Sequence, residues 1–419
     1  MVFSTMRFLI LGWVEEHYIK PVYHFKYFGF EWVQPLPEFW MYAIHVIMVL
    51  ASIGVMAGFY YRISAVILFL SFTYTELIDL TYYLNHYYFV SIVCALLIVL
   101  PAHQSFSFDV RKNPEIASDL VPRWTILTIQ LQLAIVYIYA GLAKINDTWL
   151  LEALPLKIWM PANDQIPVIG PLLTLPWMPY VFSWLGMLYD CFIVLFLAWR
   201  KTRLLAYASV VFFHLVTGVM FQIGVFPLVM IASTLIFFSQ RWHQALLSRL
   251  KKLIGYRDIA PDSPAARKPM PTLVMAVLTI HFVFQILFPW RYVLYPGNVF
   301  WTEQGYRFSW RVMLMEKSGT ATFYVRDSKT HREGVVVNQE FLNAHQEKQM
   351  SFQPDMILQF AHFLKTHYQD QGVHDPQVRA EVYVTLNAAP SQLLIDPQID
   401  LTTIHDNWEN KTWILPPPK

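Results

Sequence analysis

One lysine, Lys144, closes a run of twenty residues, 124–143, that carries no formal charge. As a helix this run spans about 30 Å, the thickness of a bilayer core. An amine at such a place is costly to ionise unless it is paired or reaches the headgroups. A neutral lysine amine is a base, so the position suits removal of a proton from a weak acid. Asp190 is the only charge in the run 178–199, and His214 sits inside the next apolar run. Arg200 and Arg203 join these two runs, which makes them antiparallel neighbours. Asp190 and His214 then lie at similar depth, about 15 Å from the loop that joins them. They can pair, either as part of a site or as a structural hydrogen bond between helices. The stretch 76–88, ELIDLTYYLNHYY, gathers further polar groups. Glu76 or Asp79 would serve as counter-ion to Lys144, and His86 beside Asn85 would relay a proton. The plainer reading of this stretch is an aromatic belt with interfacial acids. His103, after Pro101 and Ala102, reads on spacing alone as a loop histidine at a helix end. HExxH, CxxC, P-loop and GxSxG patterns are all absent, and His362 and His367 are five apart. Zinc, nucleotide and serine-hydrolase chemistry therefore have no motif here.

The elements that must position these residues are membrane spans. The 419 residues are 56% hydrophobic and 14% charged, against about 25% charged in soluble domains. A net charge of +2 offers no electrostatic surface for nucleic acid. Cys94 and Cys191 both fall in apolar runs and imply neither a disulfide framework nor a metal site. Apolar runs occur at 2–13 (partial), 38–59, 63–81, 86–102, 124–144, 178–199, 204–220, 222–239 and 271–290. Arg62, Arg111, Lys112, Arg123, Arg200, Lys201, Arg203 and the basic residues of 240–270, including Arg257, Arg267 and Lys268, all fall on one face if every run spans. That face is cytoplasmic by the positive-inside rule. Lys144 is then near the outer face, and 291–419 lies outside. This tail reads differently: 306–315, 321–326 and 380–386 alternate as strands do, and 354–368 is an amphipathic helix. The expected architecture is mainly α, a polytopic helical membrane domain over 1–290 with a small α+β extracytoplasmic domain over 291–419.

The segment 137–149, YIYAGLAKINDTW, resembles a motif of the vitamin K-dependent gamma-carboxylase family. The likeness extends to WMY at 40–42, YRIS at 61–64, YLN at 83–85 and AH at 102–103. It continues through His214 and FQIGVF at 221–226 to VMIAS at 229–233, then GY at 305–306, SW at 309–310 and DPQID at 396–400. The resemblance implies a reaction in which reduced vitamin K and oxygen generate a strong base. That base takes a γ-proton from a peptide glutamate, carbon dioxide adds, and no metal or biotin takes part. It implies that Lys144 is the catalytic base and His103 a second catalytic residue. Asn85, His86, Asp190 and His214 are then candidates for the quinone and substrate pocket. Animal members carry a second lysine at the position of Ala143 and continue beyond this length. A bacterial-type member would sit in the inner membrane, use phylloquinol or menaquinol, and act on a glutamate-containing peptide or protein. The alternatives are a related quinol epoxidase with another substrate and a non-catalytic receptor or transporter of the same fold. The span order puts His103 and Lys144 on opposite faces. They share one site only if the hairpin 63–102 is re-entrant.

Overall fold

A computed structural model describes residues 1–118, 120–221, 223–253, 255 and 270–417. Arg257, Arg267 and Lys268, used above for orientation, and Gln222 of the FQIGVF segment lie outside the described residues. The chain opens with α1 (Val2–Ile10) and continues through α2 (Glu38–Ala57), α3 (Tyr61–Ile78), α4 (Asn85–Val99), α5 (Arg123–Ala143), α6 (Met178–Ala198), α7 (Arg203–Met220), α8 (Phe226–Ser233), α9 (Gln240–Leu253) and α10 (Thr272–Leu287). Six helical segments among the described residues are long and apolar enough to cross a membrane: α2, α3, α5, α6, α7 and α10 with its 3-10 extension to Leu294. The apolar α4 is shorter, and α8 with the 3-10 turn that carries it to Phe237 is shorter still. Proline lies in the first two positions of α6 and α8, where a missing N–H is tolerated.

The turn and the open end of the α3–α4 hairpin lie at opposite ends of the bundle. At one end the Tyr61 ring stacks on His103 with centroids 4.8 Å apart. At the other, the backbone N–H of Leu80 donates to the carbonyl of Phe25 at 2.8 Å, beneath the C-terminal unit.

That unit is α+β. β1 (Lys317–Arg326), β2 (Glu333–Val335), β3 (Gln377–Leu386) and β4 (Gln392–Leu393) form an antiparallel sheet in the order β2-β1-β3-β4. β1 pairs with β3 from Lys317↔Leu386 to Arg326↔Gln377. The helices α11 (Ala344–Met350) and α12 (Pro354–Asp370) complete the unit, α12 extending the expected 354–368 helix by one half turn. Phe323, Phe360, Val378 and Val382 are fully buried in its core, and Phe25, Tyr27 and Leu80 from the N-terminal part of the chain pack into the same core. The segment 306–315 is not a strand. Phe308, Trp310 and Met313 have φ of 58°, 56° and 51°, and left-handed residues at such spacing break an extended run.

A buried lysine–aspartate pair as the candidate active site

Lys144 is the residue at which α5 ends, and Asn146 starts the next turn by accepting the Trp149 N–H at 2.9 Å. The Trp149 indole donates to the Ser183 carbonyl of α6 at 3.0 Å, and the Ser183 hydroxyl bonds back to the Trp149 carbonyl. This clasp holds the end of α5 against the middle of α6. Gly141 makes the approach possible. A Cβ there would lie 2.6 Å from Cys191 Sγ and 2.7 Å from its backbone nitrogen. Small residues at such crossings let membrane helices approach closely.

The result is a buried ion pair. Lys144 Nζ donates to Asp190 Oδ2 at 2.8 Å and to the Ala140 carbonyl at 3.1 Å, and both side chains are 8% exposed. The Trp149 ring centroid is 5.3 Å from Nζ. His214 Nε2 shares a 3.1 Å hydrogen bond with the Tyr137 hydroxyl, while its Nδ1 is buried without a partner. Lys144, Asp190 and His214 all line one cavity of about 150 Å³, walled mainly by apolar and aromatic side chains such as Phe182, Met220, Phe221 and Phe226.

Several sequence expectations change. Lys144 meets Asp190, which lies twelve residues into α6 from Met178, about 18 Å along the helix. The counter-ion is Asp190 and neither Glu76 nor Asp79. Asp79 instead accepts from Thr81 and from Gln346 of the C-terminal unit. Asp190 does not pair with His214, whose partner is Tyr137. His86 stands one ring away, its centroid 5.6 Å from Phe226, which is itself 5.6 Å from His214. Asn85 is used structurally: it accepts from the Tyr83 hydroxyl and donates to the Arg311 carbonyl at 2.9 Å. His103 is not brought to Lys144. Its neighbour Gln104 bonds Ser118, just before α5 begins, and Lys144 lies beyond the other end of that 21-residue helix, about 30 Å away along it. Burial and the nearby Arg62 lower the His103 pKa. Tyr137, Gly141 and Trp149 escaped the sequence reading as site residues. The signal for Tyr137 was its place two helical turns before Lys144, on the same face.

Fold and site together define a polytopic helical membrane protein with an α+β unit on one face and a lysine–carboxylate pair buried beneath it. Residues 1–242 match the HTTM domain, and residues 270–419 match the lumenal domain of vitamin K-dependent gamma-carboxylase. The chain belongs to the vitamin K-dependent gamma-carboxylase family. These domains mark it as a gamma-carboxylase-like multi-pass membrane protein with a lumenal-type domain at its C-terminal end. No solved structure matches the chain.

Proposed function

We propose that this protein is a γ-glutamyl carboxylase of bacterial type, in which Lys144 is the base that starts the reaction. The observation that carries this reading is the buried Lys144–Asp190 pair on the wall of an aromatic cavity. The residues present suit a quinol ring. The walls are mainly apolar, Lys144 Nζ faces in, and the unpartnered His214 Nδ1 is available to an oxygen. Reduced vitamin K, as phylloquinol or menaquinol, would when bound supply, with oxygen, the strong base needed to activate a glutamyl peptide for carboxylation.

The chain's own part is proton handling and exclusion of water. Asp190 Oδ2 takes over the proton that Lys144 Nζ now donates to it. Nζ is then free to accept a proton from a bound hydroxyl of phenolic acidity, about pKa 10. The Ala140 carbonyl and the Trp149 ring hold Nζ in place through the transfer. Trp149, Phe221 and Phe226 keep water from a site where a carbanion must outlive proton return. His214, in the same cavity, orients the bound hydroxyl; His103 acts outside it. The scheme needs no metal. The α+β unit, on the extracytoplasmic side of the inner membrane, presents the peptide or protein substrate.

The test uses protein purified in detergent with reduced vitamin K, oxygen, labelled bicarbonate and a glutamate-containing peptide. Wild type is expected to give vitamin K epoxide and labelled peptide, and Lys144→Ala to give neither. Epoxide without label would point to another acceptor substrate. Neither product from folded wild type would overturn the reading.

A further inference from the structure

A second and larger cavity, about 850 Å³, runs between α3, α4 and α10 and rises to the α+β unit. Its size is within the range of about 300–1,000 Å³ common to ligand sites. It shares no lining residue with the Lys144 cavity. Within the bundle its wall includes Phe69, Ile92, Ala95 and Phe284. The segment carrying α10 is the least buried of the six spanning segments, at 17%, so this groove borders the lipid.

The charges along the groove fall into two groups. Arg307 is paired with Asp355, Glu303 with Lys317 and Asp406 with Lys411. Three others, Arg291, Lys26 and Glu76, form no ion pair among the described residues, though Asp79 acts on Lys26 from beyond contact distance. Arg291 bonds only the neutral oxygens of Phe288, Arg307 and Ser309. Lys26 Nζ bonds the carbonyls of Val33 and Ile78. Glu76, inside α3, makes no hydrogen bond or ion pair among the described residues, and Thr73 Oγ1, one turn earlier, is buried without a partner. An unpaired acid within a membrane span marks a functional position by default.

We infer that this groove binds a zwitterionic phospholipid, its phosphate at Arg291 and Lys26, its ammonium at Glu76 and an acyl chain between α4 and α10. Two cations and one acid outside any ion pair complement a head that carries both signs. A glycerol-headed anionic lipid would bring no cation to Glu76. The apolar wall takes the chain, and Thr73 adds a hydroxyl beside the head.

Native mass spectrometry can test this on the full chain after exchange into phosphatidylethanolamine or phosphatidylglycerol. Wild type is expected to retain one phosphatidylethanolamine, with about tenfold preference over phosphatidylglycerol, close to the 1.4 kcal/mol of one tenfold step. Glu76→Gln keeps the shape of the side chain and is expected to lose the preference. Ala95→Trp fills the apolar part and is expected to lose retention of both lipids. Equal retention of both lipids by wild type would overturn the proposal. So would unchanged retention in both variants, or a prenylated quinone found in place of the lipid. The readout is mass, so it stands or falls separately from the carboxylation assay.

Discussion

Lys144 and Asp190 depend on each other for their charges. Both charges are out of water, so removing one partner leaves the other uncompensated. Breaking a buried pair this way costs about 3–5 kcal/mol. Asp190→Asn and Lys144→Met should each destabilise the protein by that order. The double replacement should cost clearly less than the two together, with coupling of about 0.5–3 kcal/mol. Denaturant titration in detergent checks this, and additive losses would reject the pair as a unit. Asp190 with His214 should show weaker coupling, because Tyr137 holds the histidine. The unusual setting of Lys144 was legible in the sequence, since a lone cation at the end of an uncharged run is conspicuous. Its partner was not. Asp190 and His214 sit at similar depth on adjacent helices, and depth alone favours their pairing. What decides the matter is the stagger of α5 against α6, which brings the end of one helix to the middle of the other.

That stagger belongs to the helices, and Gly141 is its hinge point. Any Cβ at 141 runs into the backbone and sulfur of Cys191, which cannot swing aside as a long side chain would. Gly141→Ala should push α5 from α6 and lengthen the Lys144–Asp190 contact. Overpacking of this kind costs about 1–3 kcal/mol. Gly186 is the control. It is also on α6, yet nothing lies within 4 Å of the place its Cβ would occupy. Gly186→Ala should therefore be neutral, or stabilising by up to about 1 kcal/mol from helix propensity. Equal stability of the two variants, in thermal unfolding, would contradict the close-approach argument. Most spans were readable because apolar runs of this length have few other uses. The strands at 321–326 and 380–386 were readable from alternation, and both lie inside β1 and β3. The same alternation at 306–315 misled. There the aromatic residues anchor a loop on the membrane domain, with Trp310 stacked on Tyr88 at 4.8 Å, and the left-handed residues that shape it have no signature in hydropathy.

In the molecule as a whole, the two parts of the chain are joined by buried titratable groups. Tyr82 stands between His17 and His345, with ring centroids 4.1 and 4.6 Å away, and Gln346 reaches from the C-terminal unit to Asp79 and to the Tyr23 carbonyl. No spacing rule ties residues 17–27 to 345–360, so this junction could not be read in advance. Its groups titrate in opposite senses. Burial raises Asp79 from the ordinary carboxylate value to about 6, against the hydrogen bonds from Thr81 and Gln346. Between about pH 4 and 6 the folded protein thus holds a proton that the unfolded chain has lost, and this contribution to stability declines as pH rises. Burial, with His345 and Lys26 adding to it, lowers His17 and His24 to about 4. Over about pH 4 to 6.5 the folded state binds fewer protons there than the unfolded chain, so this contribution grows as pH rises. The two effects oppose each other in one window. Asp79→Asn removes only the declining one. Its stability should climb between pH 4 and 6 more steeply than that of wild type, by up to one proton, about 1.4 kcal/mol per pH unit. Unfolding followed by tryptophan fluorescence across that range measures both slopes. Equal slopes would mean that Asp79 is already ionised in the folded protein. The junction would then rest on the ring stack and the Gln346 bonds, with no buried acid setting its pH response.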